Sequence, residues 1–233
     1  MSKHFERDLE KLHRQLLELF GRVEQMIDLA TRALCERAPD LAEKVISGDA
    51  IVNRTEVSIE EDCLKILALH QPVAAHLRRI SSIIKINVDL ERMADLACNI
   101  AERARDLSQF PDFPLPERLP EMVMEASQMV RWAIDSFINS DTRLAKKVIH
   151  LDEMVDQNNF QIIQTLRTLM KADSAFVEPA LHCFSASRHI ERLADHAENI
   201  AEDVVYVVDG DIVRHLHGQF SLNIDRTENH ARD

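Results

Sequence analysis

Two twelve-residue stretches concentrate carboxylates in this chain. Glu91–Glu102 reads ERMADLACNIAE and Glu191–Glu202 reads ERLADHAENIAE, an offset of 100 residues with 9 of 12 positions identical. On a helix of about 3.6 residues per turn, Glu91, Asp95, Asn99 and Glu102 fall within an arc of about 80°. The second copy repeats this stripe as Glu191, Asp195, Asn199 and Glu202, and adds Glu198 where the first has Cys98. Like charges one turn apart repel, by roughly 0.2–0.5 kcal/mol per pair. The stripe therefore asks for a cation, a basic partner, or only water. An idle solvated face has no need to repeat the same acids at the same spacing. Met93, Leu96, Ala97 and Ile100 lie on the opposite side and are expected to face a core.

The preceding segments carry acids of their own. Asp49, Asn53, Glu56 and Glu60 share one helical face, as do Asp152 and Asp156. Where such stripes meet across two helices, the site is all oxygen. It suits hard cations such as Mg²⁺, Ca²⁺ or Mn²⁺, with iron also compatible. His182, His189 and His196 are spaced two turns apart, about 10.5 Å. That is too far for one ion to span, and they lie near the apolar side, so they read as packing residues. Arg79 reads as a surface charge, with Arg78 the more interesting of the pair. The chain has no Gly-rich phosphate loop and no GxSxG nucleophile motif. Glu10-x-x-His13 is a single motif where a carboxylate di-iron bundle needs two, and it reads as a helix surface pair. An enzyme is not expected.

Six helices must position these residues. Leu9, Leu12, Leu16, Leu19, Phe20, Val23, Ile27 and Ala30 recur at threes and fours, which predicts a first helix from His4 to Ala38, ended by Pro39. Asp40 and Glu43 form a D-x-x-E capping pattern for a second helix running to His70. Pro72 fits the first turn of a third, which continues to Ser108. Residues 109–120, QFPDFPLPERLP, hold 4 of the 7 prolines and mark the break in the chain. A fourth helix runs to Asn139, Asp141 caps a fifth to Lys171, and a turn over Asp173–Pro179 leads into the sixth. Gly210 fits its C-terminus, and the residues from His217 onward read as a loose tail.

The repeat extends beyond the acidic stripes. Leu41–Ile46 (LAEKVI) matches Leu144–Ile149 (LAKKVI), with Asp49 then matching Asp152. The expected fold is therefore all-α, with two tandem three-helix bundles. The first covers 1–108 and the second 119–210, with 109–118 as linker and 211–233 as tail.

The bulk properties agree. Hydrophobic residues are 45% and charged residues 29%, an ordinary globular balance, while a net charge of −12 argues against nucleic acid as a partner. The four cysteines are far apart with no CxxC, as free thiols in a reducing cytosol would be. The first residues lack an apolar signal segment. A cytoplasmic location follows as the expectation.

Residues from Phe5 to His215 resemble the PhoU family. The resemblance rests on Gln71-Pro72-Val73-Ala74, Leu77-Arg78, the two acidic helices, and Val207-Val208-Asp209-Gly210 before Val213-Arg214-His215. It implies two three-helix bundles of shared ancestry and a regulator without catalysis of its own. Such a regulator represses the phosphate-starvation response when phosphate is plentiful. Its implied partners are a phosphate ABC transporter ATPase and a sensor histidine kinase, with membrane contact only through them, and homodimers are common. Some relatives hold iron or zinc clusters on E/D-x-x-x-D motifs, and magnesium remains a further candidate here. The motifs fall on Glu91-x-x-x-Asp95, Asp152-x-x-x-Asp156 and Glu191-x-x-x-Asp195. The fourth, starting at Asp49, is broken by Asn53, and His76 stands where the family usually has Asp. These departures make the second half the better metal candidate.

Overall fold

The computed structural model describes residues 3–213, so the expected tail lies almost wholly outside the described residues. Six helices account for nearly all of it: α1 (Lys3–Glu36), α2 (Pro39–His70), α3 (Ala75–Leu107), α4 (Leu119–Asn139), α5 (Thr142–Ala172) and α6 (Val177–Asp209). No strand occurs among the described residues. Helices α1, α2 and α3 pack on one another, as do α4, α5 and α6. The two sets meet mainly through α3 and α6, with a smaller contact between α1 and α4.

The apolar periodicity of α1 translates directly into burial. All eight of the apolar residues from Leu9 to Ala30 named above are inside, several fully. Met93, Leu96, Ala97 and Ile100 of α3 are buried too, opposite the acidic stripe. Ala94, Ala97 and Ala101 of α3, and Ala194, Ala197 and Ala201 of α6, are fully buried, while the side chains that meet across the α3–α6 contact include Lys85 with Asp203 and Asp89 with His196. The helices run antiparallel, since Asp106 near the end of α3 meets His182 near the start of α6, while Asp89 meets His196.

Several helix ends differ from the sequence expectation. Ala38, not Asp40, is the N-cap of α2, with no side-chain hydrogen bond, and Pro39 begins that helix rather than merely ending α1. Pro at the first helical position loses no intrahelical bond, so it replaces the expected capping box. The chain makes this turn through Arg37, at φ 54°. Pro72 lies outside α3. Gln71 closes α2 in the left-handed region at φ 44°, Ala74 sits at φ 50° and ψ −121°, and only then does α3 begin. Pro179 likewise belongs to the first turn of α6, not to the turn before it. That turn is a single 3₁₀ coil, Ser174–Phe176, capped by Asp173, which accepts from Ala175 N–H at 2.9 Å. Asp141 caps α5 as expected, accepting from Arg143 and Leu144 N–H at 2.9 and 3.1 Å. Gly210 closes α6 at φ 83°.

The proline-rich segment between α3 and α4 is anchored to both sets of helices. Arg37 donates from both terminal guanidinium nitrogens to the main-chain carbonyls of Phe110 and Phe113. Phe113 is buried and meets Phe176 edge-on at 5.7 Å between ring centres. Phe110 stacks toward His182 at 6.3 Å.

Candidate carboxylate site

The acids converge because α5 and α6 lay their polar edges side by side. Asp152 and Asp156 project from α5, and Glu191, Asp195 and Glu198 from α6. Burial pushes the Asp152 carboxyl up to about 7, helped by the charges of Asp156, Asp195 and Glu191. Glu198 is pushed up to about 8, first by burial and then by Asp152, Glu202 and Asp195. Burial, then Asp195, raises Glu191, and burial, then Asp156, raises Asp195. One Glu191 oxygen accepts from Arg188 at 2.7 Å, while its Oε2 is buried without a hydrogen-bond partner.

The first half repeats the plan with less charge. Asp49 lies close enough to Glu91 and Cys98 to perturb both. Burial raises Glu91, with Asp95 adding to the effect. Burial also pushes the Cys98 thiol up to about 12, so at neutral pH it brings no charge where the second half has Glu198. Asn53 donates to Asp49 Oδ2 at 2.9 Å, tying up one oxygen internally, and Asp49 Oδ1 is buried without a partner. Arg92 ion-pairs with Glu91 and Asp95 at 3.4 and 3.6 Å. Glu56, deeper along α2, is raised by burial, then by Glu60 and Glu91, and is held by Asn87.

All seven residues singled out for metal thus sit in two clusters: Asp49, Glu91 and Asp95 in one, and Asp152, Asp156, Glu191 and Asp195 in the other. Glu198 was not among them, because the E/D-x-x-x-D pattern skips it. It belongs at the centre of the second cluster, and its signal in sequence is the Cys98/Glu198 exchange across the repeat. The donor set is all oxygen and includes buried acceptors without partners, which suits a hard cation. Among the described residues, however, no three His, Cys, Asp or Glu side chains are already arranged to hold one metal ion. The fit is therefore one of donor chemistry, and the side chains must close in around any ion.

The three histidines of α6 serve packing. His182 lies 3.5 Å from Asp106 and 3.4 Å from Arg103, His189 is 3.3 Å from the Ser185 hydroxyl, and His196 is 2.8 Å from Asp89. Two readings need correction. His13 is not a surface partner of Glu10: it is half-buried with its ring 5.9 Å from that of Phe137. Arg79 is not a freely solvated charge, because α4 and α6 pack around it and leave it half-buried in a cavity wall.

A fold of two repeated three-helix units with matching acidic edges defines the family. The chain belongs to the PhoU family: the PhoU domain model matches residues 16–104 and 119–204, once in each half. The chain is 42% identical to the phosphate-specific transport system accessory protein PhoU homolog of Aquifex aeolicus (strain VF5), over 91% of this chain and 96% of that protein. It is 34% identical to PhoU of Escherichia coli (strain K12), over 94% of this chain and 90% of that one. The crystal structure of PhoU from Pseudomonas aeruginosa superimposes with a TM-score of 0.86 at 36% identity, covering 89% of this chain and 100% of that one. No helix among the described residues is long and apolar enough to cross a membrane.

Proposed function

We infer that this chain is an accessory regulator of phosphate transport, without catalytic activity, that works from the cytoplasm on a membrane transporter. The observation that carries this reading is the family match in both halves, with relatives named as phosphate transport accessory proteins aligning over about nine-tenths of the chain. In the finer form of the reading, a homodimer links the transporter's ATPase to a sensor histidine kinase and represses the starvation response while phosphate is plentiful. The acidic edges are the surfaces best suited to this task. They steer and hold basic partner surfaces, with strong dependence on salt. In a strain lacking the gene, the wild-type chain should restore repression of a phosphate-starvation reporter in phosphate-rich medium. The double substitution Glu91→Gln and Glu191→Gln should fold, accumulate and fail to repress. Full repression by the folded variant would show these glutamates to be solvated surface only.

A second reading is favoured by the Asp152 and Glu198 carboxyls, pushed up to about 7 and 8. A cation such as magnesium, iron or zinc bound there would relieve that repulsion and order the α5–α6 edge. Asp152, Asp156, Glu191, Asp195 and Glu198 would hold it, with Asp49, Glu91 and Asp95 as the poorer counterpart.

A further inference from the structure

Four arginines are half-buried among the described residues: two carbonyls hold Arg37, Glu102 and Asp106 hold Arg103, and Arg78 and Arg79 have no ion-pair partner. Of the last two, Arg79 lines a cavity. It is half-buried and has no ion-pair partner among the described residues, in a chain of net charge −12. The cavity is about 150 Å³ and lies where α1, α3, α4 and α6 meet. His13 and Arg79 line it together with Phe137, Ile138, Ser140 and three valines of α6. No carboxylate is among these lining residues. His13 Nδ1 is buried without a hydrogen-bond partner. Ser140 ends α4 at φ 52°, a left-handed position that glycine normally takes, and so sets a hydroxyl-bearing residue at the rim.

A cationic group held in a partly apolar wall without a counter-charge raises the free energy of the empty protein. Such an arrangement persists where a ligand supplies the missing charge. The α4 end does not supply it: the carbonyls of Ser136 and Phe137 already accept from Asp141 and Ser140 N–H. A water takes about 30 Å³ of liquid volume, so the cavity has room for a handful of waters or one small anion.

We propose that this cavity binds a small free oxyanion, held by the Arg79 guanidinium with His13, which lines the same cavity, as a second donor. A planar guanidinium offers two parallel donors to two oxygens of one tetrahedral anion, the strongest such pairing available to a side chain. The choice of phosphate as first probe rests on the regulatory reading above; the site itself rests on the charge and the cavity.

The test is titration calorimetry of the full chain with inorganic phosphate at constant ionic strength, joined to NMR of the His13 ring. The wild type should bind saturably at millimolar phosphate and shift the His13 signals. Arg79→Gln should weaken binding at least tenfold, while its melting temperature in anion-poor buffer stays level or rises. Arg14→Gln, an exposed neighbour on α1, should bind as the wild type does. Absence of saturable binding, equal affinity in Arg79→Gln, or an unmoved His13 signal would each overturn the proposal. Binding without any effect of Arg79→Gln on the reporter would remove the regulatory reading of the site and leave the site itself standing. Intact repression by a chain that binds no phosphate would do the reverse.

Discussion

His196 Nδ1 of α6 lies 2.8 Å from Asp89 Oδ1 of α3, and both side chains are largely buried. The pair spans the interface between the two halves, so it ties their docking to one register. His196→Ala leaves the Asp89 carboxylate without this partner. The expected cost is about 1–3 kcal/mol, read as a lower urea midpoint with unchanged slope. An unchanged midpoint would mean that the rest of the α3–α6 contact sets the register alone.

The second carboxylate cluster makes stability depend on pH. Asp152 and Glu198 have ordinary values of 3.8 and 4.5 and folded values of about 7 and 8. Between these limits the folded state holds protons that the unfolded chain has released, so stability falls as pH rises. The contribution is fully present below the ordinary carboxylate range and gone above about pH 8. The two groups titrate as a coupled pair, with an upper bound of about 1.4 kcal/mol per pH unit for each proton. Denaturant midpoints measured from about pH 5 to pH 8 should decline, and Asp152→Asn should flatten the decline. A rise over that range would contradict this account.

Metal content should differ between the halves. Protein purified without chelator and analysed by mass spectrometry for bound metals should lose more on Asp195→Asn than on Asp95→Asn. Asn53 and Cys98 dilute the charge of the first cluster, whereas Glu198 adds to the second. Equal losses, or no metal in the wild type, would count against it.

Arg37 is expected to hold the connection between α3 and α4. Arg37→Ala leaves the Phe110 and Phe113 carbonyls without their donor and should cost about 2 kcal/mol or more. Proteolysis within residues 109–118 should speed up in that variant. Unchanged cleavage would show that the buried Phe113 ring is sufficient.

Ala74 occupies a conformation at φ 50° that L-residues avoid. Ala74→Gly should stabilise the protein by about 1 kcal/mol despite the added freedom of the unfolded chain. A lower melting temperature would show that the methyl group packs more favourably than the backbone strain costs.

The helices were legible because their signal is local. Leu9 through Ala30 on α1 announce their buried face by spacing alone, and Asp141 and Gly210 announce helix ends by chemistry that acts within a few residues. Ala38 in place of a capping side chain, and Ala74 at positive φ, carry no such mark, because neither residue type favours the role it plays. The acidic stripes were legible for the same reason as α1. Their convergence was not, since the shift at Glu198 comes first from burial and then from Asp152 of α5, about forty-five residues away in sequence. Arg79 shows the same limit: adjacent in sequence to Arg78 in an ordinary surface pattern, it is enclosed only when α4 and α6 arrive.

The contact between α3 and α6 has a further consequence. Because the helices are antiparallel copies of one another, each half offers the same surface to its twin, as in an isologous pair. The register set by Asp89 and His196 places the duplicated Met93-Ala94 and Leu193-Ala194 near the middle of that contact. A primordial protein of half this length would have exposed that strip and paired with a second copy through it. On this view gene duplication and fusion added no new interface, but made an existing two-fold assembly permanent and freed its halves to diverge, as Cys98 and Glu198 have.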